Sequence, residues 1–213
     1  MPSNEPEPNL RHVRRWLPLL RWLVRLKFAY YGPLKTTGQA AIPATGGALL
    51  VANHRSFADP LALQALCPRH IRFMANREVF AESPLIARFL HWFGAFEVMP
   101  GTPDRSALHT AIKLVESGEI VCVFPEGRLA EDLELLPFLP GAFMIASRAN
   151  APVLLAGVVN TELVYPYMSK RARRAKTHVW VHWEGPFPVP PDMKLSEVAE
   201  MFRARVDSLA NPK

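Results

Sequence analysis

The stretch VANHRSFADP, residues 51–60, leaves an apolar run on a histidine and reaches an aspartate and a proline one short loop later. The run before it, ALLVAN at 48–53, is continuous rather than alternating, the pattern of a strand covered on both faces. Such a strand carries His54 to its carboxyl end, the edge where open α/β sheets place their ligands. Asp59 followed by Pro60 reads as the N-cap and first residue of a helix through PLALQAL. The loop Arg55 to Ala58 is short enough to fold the carboxylate back onto the imidazole.

The same pattern repeats outward. GGALLVANH, HIRFMANRE, EIVCVFPEG, APVLLAGVVN and THVWVHWEG read as short strands, mostly continuous apolar runs. Between them SPLIARFLHWFG, DRSALHTAIKLVESG and PGAFMIASRAN have helical periodicity, and LSEVAEMFRARVDSLA closes the chain. The alternation predicts an α/β fold with a central, mostly buried sheet flanked by helices. With 213 residues, 49% of them hydrophobic, no internal repeat and no interior linker, one domain over 32–213 is expected. Ahead of it come a polar, proline-rich tail over 1–9, read as disordered, and an amphipathic segment over 10–31.

The formal net charge of +6 calls for an anionic partner without separating nucleic acid, membrane surface or acidic metabolite. In RHVRRWLPLLRWLVRLKFAYY, Arg11, Arg14, Arg15, Arg21 and Arg25 share one sector of a helical wheel, across from Val13, Leu17, Leu20, Leu23 and Val24. Pro18, among the basic positions, marks a kink or a restart. Trp16, Trp22 and Phe28 favour a helix lying in a membrane interface over one packed on the core. The run KRARRAKTH from Lys170 is either a second contact with an anionic leaflet or a solvated loop. Cys67 and Cys122 make neither a disulfide framework nor zinc spacing, and no metal is expected. The start MPSNEPEPNL lacks the order of a secretory signal, so a cytoplasmic setting is expected. Arginine or lysine interrupts every apolar stretch before it reaches the ~20 residues of a spanning helix.

A carboxylate that accepts the proton of one ring nitrogen fixes the imidazole tautomer and leaves the other nitrogen basic. Such a pair lacks a nucleophile of its own, so a substrate hydroxyl must supply it, and acyl or phosphoryl transfer to an alcohol is the matching chemistry. A lone His and Asp would be read instead as a strand end and a helix cap. The second constellation, FPEGR at 124–128, shifts the balance: it too follows an apolar strand and offers a glycine turn, a carboxylate and an arginine. Two polar groups at one sheet edge point to a shared site.

Taken together, NHRSFAD and FPEG resemble the glycerolipid acyltransferases typified by 1-acylglycerol-3-phosphate acyltransferase, over roughly residues 36 to 160. The resemblance implies a glycerol-3-phosphate acyltransferase-like sandwich, with His54 as general base and Asp59 orienting it. Asn53 and Ser56 also match the first block, and Phe124, Pro125, Glu126 and Gly127 match the later one. It departs from the family where Asn76 stands for a lysine, with Arg77 adjacent, and where Pro100 stands for an arginine, with Arg105 nearby. Arg128, Leu129 and Ala130 replace the Thr-Arg-Ser common after FPEG, and Pro152 is the one proline kept of the last block.

The resemblance further implies an acyl-coenzyme A or acyl carrier protein donor, no cofactor beyond it, and a lyso-lipid acceptor met at the cytoplasmic face of the cell membrane. Ser56, Glu126 and Gly127 are expected around the substrate, with Arg128 first, then Arg77 and Arg105, on an acceptor phosphate. Backbone amides opening the helix after Asp59, or at Gly127, are the candidate oxyanion donors. Two other readings stay open: a phosphate-free lyso-aminolipid acceptor, and a non-catalytic nucleic-acid-binding module built on the basic stretches. No nucleic-acid motif supports the second.

Overall fold

The computed structural model describes residues 10–99, 104–167, 169 and 171–212. The tail expected over 1–9, Pro100 and Lys170 lie outside the described residues. Seven strands, β1 Leu34–Thr37, β2 Ala48–Ala52, β3 Ile71–Asn76, β4 Phe96–Val98, β5 Ile120–Val123, β6 Val153–Val159 and β7 Val179–Phe187, form one sheet in the order β1-β7-β6-β2-β5-β3-β4. Neighbours run parallel except β6 and β7. The helices are α1 Arg11–Tyr31, α2 Asp59–Leu66, α3 Arg77–Ala81, α4 Pro84–Phe93, α5 Arg105–Glu116, α6 Phe143–Arg148, α7 Thr161–Val164 and α8 Leu195–Ala210.

Every residue of β2 and β5 is buried, as their unbroken apolar runs require. Alternation divides β2 between two layers. Ala48, Leu50 and Ala52 join Phe28, Leu63 and Ile71 on one face, while Leu49 and Val51 join Leu114, Phe143 and Phe202 on the other. Each buried Leu or Val contributes roughly 1.5–3 kcal/mol of transfer free energy, and this double-sided burial holds β2 central and rigid. The segments read as strands and helices take those forms; β1, β4, α3 and α7 are additions. β1 and β4 lie at the two sheet edges and are only partly buried, so neither carries a continuous apolar run.

α1 continues unbroken through Pro18, and its faces differ from the wheel reading. Val13, Leu17 and Phe28 are buried against the body, and three arginines flanking them reach acceptors on it while staying partly or largely exposed. Arg14 pairs with Glu119, Arg21 donates to the carbonyls of Gln64 (3.3 Å) and Arg69 (3.0 Å), and Arg25 donates to that of Ala65 (3.1 Å). The carbonyls of Gln64 and Ala65 belong to the last turn of α2, where the helix dipole favours cations. The exposed surface of the helix carries a large apolar stripe, Trp16, Leu19, Trp22, Leu23, Leu26 and Tyr30, beside exposed Arg11 and Arg15.

His70, between α2 and β3, is buried and packs edge-on against Phe93 at 4.8 Å. Loss of solvation, helped by the positive charge of Arg72, lowers its pKa from 6.5 to about 4. An unfolded chain therefore takes up a proton between pH 6.5 and 4 that the native protein refuses, so stability falls as pH drops through that window. The loss approaches roughly 3 kcal/mol at its acid end. Urea unfolding at pH 7 and 4.5 is expected to show this difference in the parent protein and a smaller one in His70→Leu; equal differences would reject the assignment.

Candidate active site

The parallel run of β2, β3, β4, β5 and β6 brings their carboxyl ends to one edge, and Val51 of β2 lies in register with Val123 of β5. At that edge Asn53 continues the ladder with its side chain, donating to the carbonyl of Val158 (2.9 Å) and accepting from its amide (2.7 Å). The chain then leaves the sheet at His54. Its Nδ1 lies 2.8 Å from Oδ2 of Asp59, and its ring stacks on Phe124 at 4.0 Å. The imidazole is 18% exposed and the carboxylate wholly buried.

Ala58, not Asp59, is the N-cap of α2. The Asp59 carboxylate turns away from the helix it opens: Oδ2 accepts the amides of Arg55 (2.8 Å) and Ser56 (2.9 Å) as well as the imidazole, and Oδ1 accepts the hydroxyl of Thr161. A buried charge needs this many donors to offset its lost hydration. With the Nδ1 proton donated to Asp59, Nε2 is left holding its lone pair.

FPEG follows β5 and braces the histidine. Glu126 is buried and accepts the His54 amide on Oε1 (2.6 Å) and the Leu136 amide on Oε2 (3.0 Å). Burial pushes its carboxyl pKa up against the pull of those amides. Expected beside the substrate, Glu126 has both oxygens engaged by backbone. Gly127 sits at φ +71, where a side chain is strained, and its amide closes a turn onto the Phe124 carbonyl (3.0 Å). That amide is therefore committed, which removes it from the oxyanion donors considered. Ser56 is likewise internal, its hydroxyl donating to the Tyr165 carbonyl (2.8 Å) and accepting the Ala58 amide (3.1 Å).

The arginines lie at the same sheet edge but on its surface. Arg128 is exposed in the turn after β5, with no ion pair among the described residues. Arg77 opens α3 directly after β3 and donates to Glu97 (3.1 Å). Arg105, also exposed, opens α5 after β4. Asn76, where the family carries lysine, accepts the Glu78 amide (3.0 Å) as the cap of α3. Among the described residues no cluster of three or more His, Cys, Asp or Glu could hold a metal ion.

Sequence reading missed two contributors. Arg55 is buried and donates to the Ala210 carbonyl (3.3 Å) and to Asn211 (2.8 Å), tying the loop to the end of α8. Gly157 permits that approach, since a Cβ there would lie 2.4 Å from the Leu209 backbone. Thr161 is the second. Its signal was available, because it is a polar residue just past the end of an apolar strand, as His54 is.

The acyltransferase family model matches residues 33–159, from just before β1 to the last residue of β6, both motifs included. That span and the fold define the class as an acyltransferase. The chain is similar to the 1-acyl-sn-glycerol-3-phosphate acyltransferase of Bacillus subtilis (strain 168), with 29% identity over 182 residues, 84% of this chain and 89% of that protein. It is also similar to the human 1-acyl-sn-glycerol-3-phosphate acyltransferase beta, with 26% identity over 157 residues, 68% of this chain and 54% of that protein. The crystal structure of the 1-acyl-sn-glycerophosphate acyltransferase PlsC from Thermotoga maritima superposes with a TM-score of 0.76 at 21% identity, over 97% of this chain and 85% of that one. The chain belongs to the glycerolipid acyltransferase family.

Proposed function

We propose that this acyltransferase moves a fatty acyl group from a thioester, acyl-coenzyme A or acyl carrier protein, to the free hydroxyl of 1-acylglycerol-3-phosphate or a related lysophospholipid. The observation that carries the reading is an oriented imidazole with, among the described residues, no free protein nucleophile beside it. The nearby hydroxyls are engaged, Ser56 on the Tyr165 carbonyl and Thr161 on Asp59, and both cysteines are buried. The attacking oxygen is therefore the acceptor's own. Nε2 of His54 takes its proton as the C–O bond forms, the tetrahedral intermediate expels thiolate, and the imidazolium returns the proton to sulfur. Asp59 stabilises the transient positive charge. The amides of Ala58 and Asp59 at the start of α2 are committed to Ser56 just as that of Gly127 is to Phe124, and Pro60 has none, so none of these groups serves as a free oxyanion donor.

The test is an acceptor panel with labelled acyl-coenzyme A, in which lysophosphatidic acid is expected to be converted and glycerol-free alcohols are not. Arg128→Ala should raise the acceptor's KM about 10- to 100-fold, the loss of one charge-assisted contact to phosphate, and leave the donor's KM nearly unchanged. An unaltered acceptor KM would reject that role. The capping duty of Asn76 supports a second reading, a phosphate-free lyso-aminolipid acceptor, which the same panel separates. Commitment of Arg14, Arg21 and Arg25 to the protein itself weighs against a nucleic-acid surface.

Lipid substrates place the enzyme at a membrane, in this reading the cytoplasmic face of the cell membrane, as a peripheral protein. Among the described residues no helix is long and apolar enough to cross a membrane. The exposed stripe of α1 continues through the His12–Trp92 contact (5.5 Å) to Phe89 of α4, beside exposed Leu85 and Ile86. Arg174 of the basic loop lies over Tyr30 at the far end of α1 (5.3 Å), so apolar surface and cationic charge adjoin. Because Val13, Leu17 and Phe28 are core, deleting the helix would expose the body; surface substitution is the cleaner test. Leu19→Ser, Leu23→Ser and Leu26→Ser together should leave a folded protein that no longer sediments with anionic vesicles, each leucine being worth about tenfold or more in partitioning. Undiminished sedimentation would refute the stripe as the anchor.

A further inference from the structure

We infer that Thr161 is a positioning residue of the transfer reaction, its hydroxyl fixing the rotation and charge of Asp59 and through it the imidazole of His54. The inference rests on the proposed role of the dyad and extends it to a residue 102 positions away in sequence.

Oδ2 of Asp59 already accepts the imidazole and the amides of Arg55 and Ser56. Oδ1 has one donor among the described residues, the Thr161 hydroxyl, and both side chains are wholly buried. Without that hydroxyl the buried Oδ1 would be left without a side-chain donor, and the carboxylate would turn about its Cβ–Cγ bond to share its other donors. The hydrogen bond from His54 would lose its alignment.

The fold holds Thr161 in place from both sides. Asn160, left-handed at φ 68, turns the chain sharply after β6 and donates to the His178 carbonyl (2.9 Å). Beyond α7, the Arg173 amide donates to the Val164 carbonyl (2.7 Å), and Ser56 of the catalytic loop donates to the Tyr165 carbonyl. α7 is thus fastened to the loop that carries the dyad, and a hydroxyl this constrained presents its proton at a fixed angle.

Thr161→Val keeps the shape and removes the donor, and Thr161→Ser keeps the donor. In Thr161→Val kcat should fall about 10- to 100-fold, as for a lost hydrogen bond to a charged group, with the acceptor's KM little changed. The acid limb of the kcat/KM profile should move to lower pH, because a carboxylate turned out of line with Nδ1 holds the imidazolium proton less firmly, while Glu126 and Glu162, the other carboxylates near the dyad, are unaltered. Thr161→Ser should restore both. A merely structural role would reduce the folded fraction without moving the pH limb. The low-field proton resonance of the His54–Asp59 bond, read on the resting protein, should shift in Thr161→Val, or in Thr161→Ala if the valine variant does not fold, and return in Thr161→Ser. An unmoved resonance with a parental pH limb would overturn the inference. A parent protein that acylates no lyso-lipid would count against the proposed reaction instead, while the resonance still decides the positioning role.

Discussion

His54→Ala should yield a folded protein that transfers acyl groups about 10²- to 10⁴-fold more slowly, the usual range for a lost general base. The fold should survive because the ring is partly exposed and the Asp59 carboxylate keeps the amides of Arg55 and Ser56 and the Thr161 hydroxyl when the imidazole goes. The backbone ties of residue 54 to Glu126 and Ala130 do not involve the side chain and should persist. Circular dichroism establishes folding and initial rates establish the loss. Near-parental turnover in a folded variant would remove His54 from the mechanism.

Asp59 should prove as important for stability as for rate, and two substitutions separate the effects. Asp59→Asn retains an acceptor oxygen for Nδ1 and the loop amides, so it should cost roughly 1–3 kcal/mol as charge-assisted bonds become neutral ones. Its rate should still fall about 10²-fold or more, since the imidazolium loses its counter-charge. Asp59→Ala strands buried donors at 55, 56 and 161 together, each unsatisfied group costing about 1–3 kcal/mol, and should unfold several molar units of urea earlier or fail to fold. Equal stability of the alanine variant and the parent would show that the carboxylate does not organise the loop.

The central strands and the local pair were legible because their determinants are short-range. Unbroken apolar runs announce β2, β5 and β6 wherever both faces are covered, and one short loop suffices to bring Asp59 to His54. The edge strands β1 and β4 have half-wet surroundings and no comparable signature. Glu126 was visible as a carboxylate, but its engagement by the amides of His54 and Leu136 depends on how two separate loops fold together. The wheel of α1 located a basic sector without saying which side would turn inward. Arginine stems pack well on apolar surface, and the carbonyls ending α2 give the heads of Arg21 and Arg25 acceptors, so that part of the sector became the docking edge while Arg11 and Arg15 stayed exposed. Thr161 escaped for a related reason: its partner is set by the adjacency of β6 and β2 rather than by neighbours in sequence.

The most direct test of the central claim follows label and thiol together. Purified protein is mixed with acyl-coenzyme A labelled in its acyl group and with lysophosphatidic acid, and lipid, free thiol and protein-bound label are measured after quenching. Direct attack by the acceptor predicts labelled diacyl product, one free thiol per acyl group moved, no label on the protein, and transfer slowed by about 10²-fold or more in His54→Ala. Label retained covalently on the protein, or product formed equally well by His54→Ala, would contradict it.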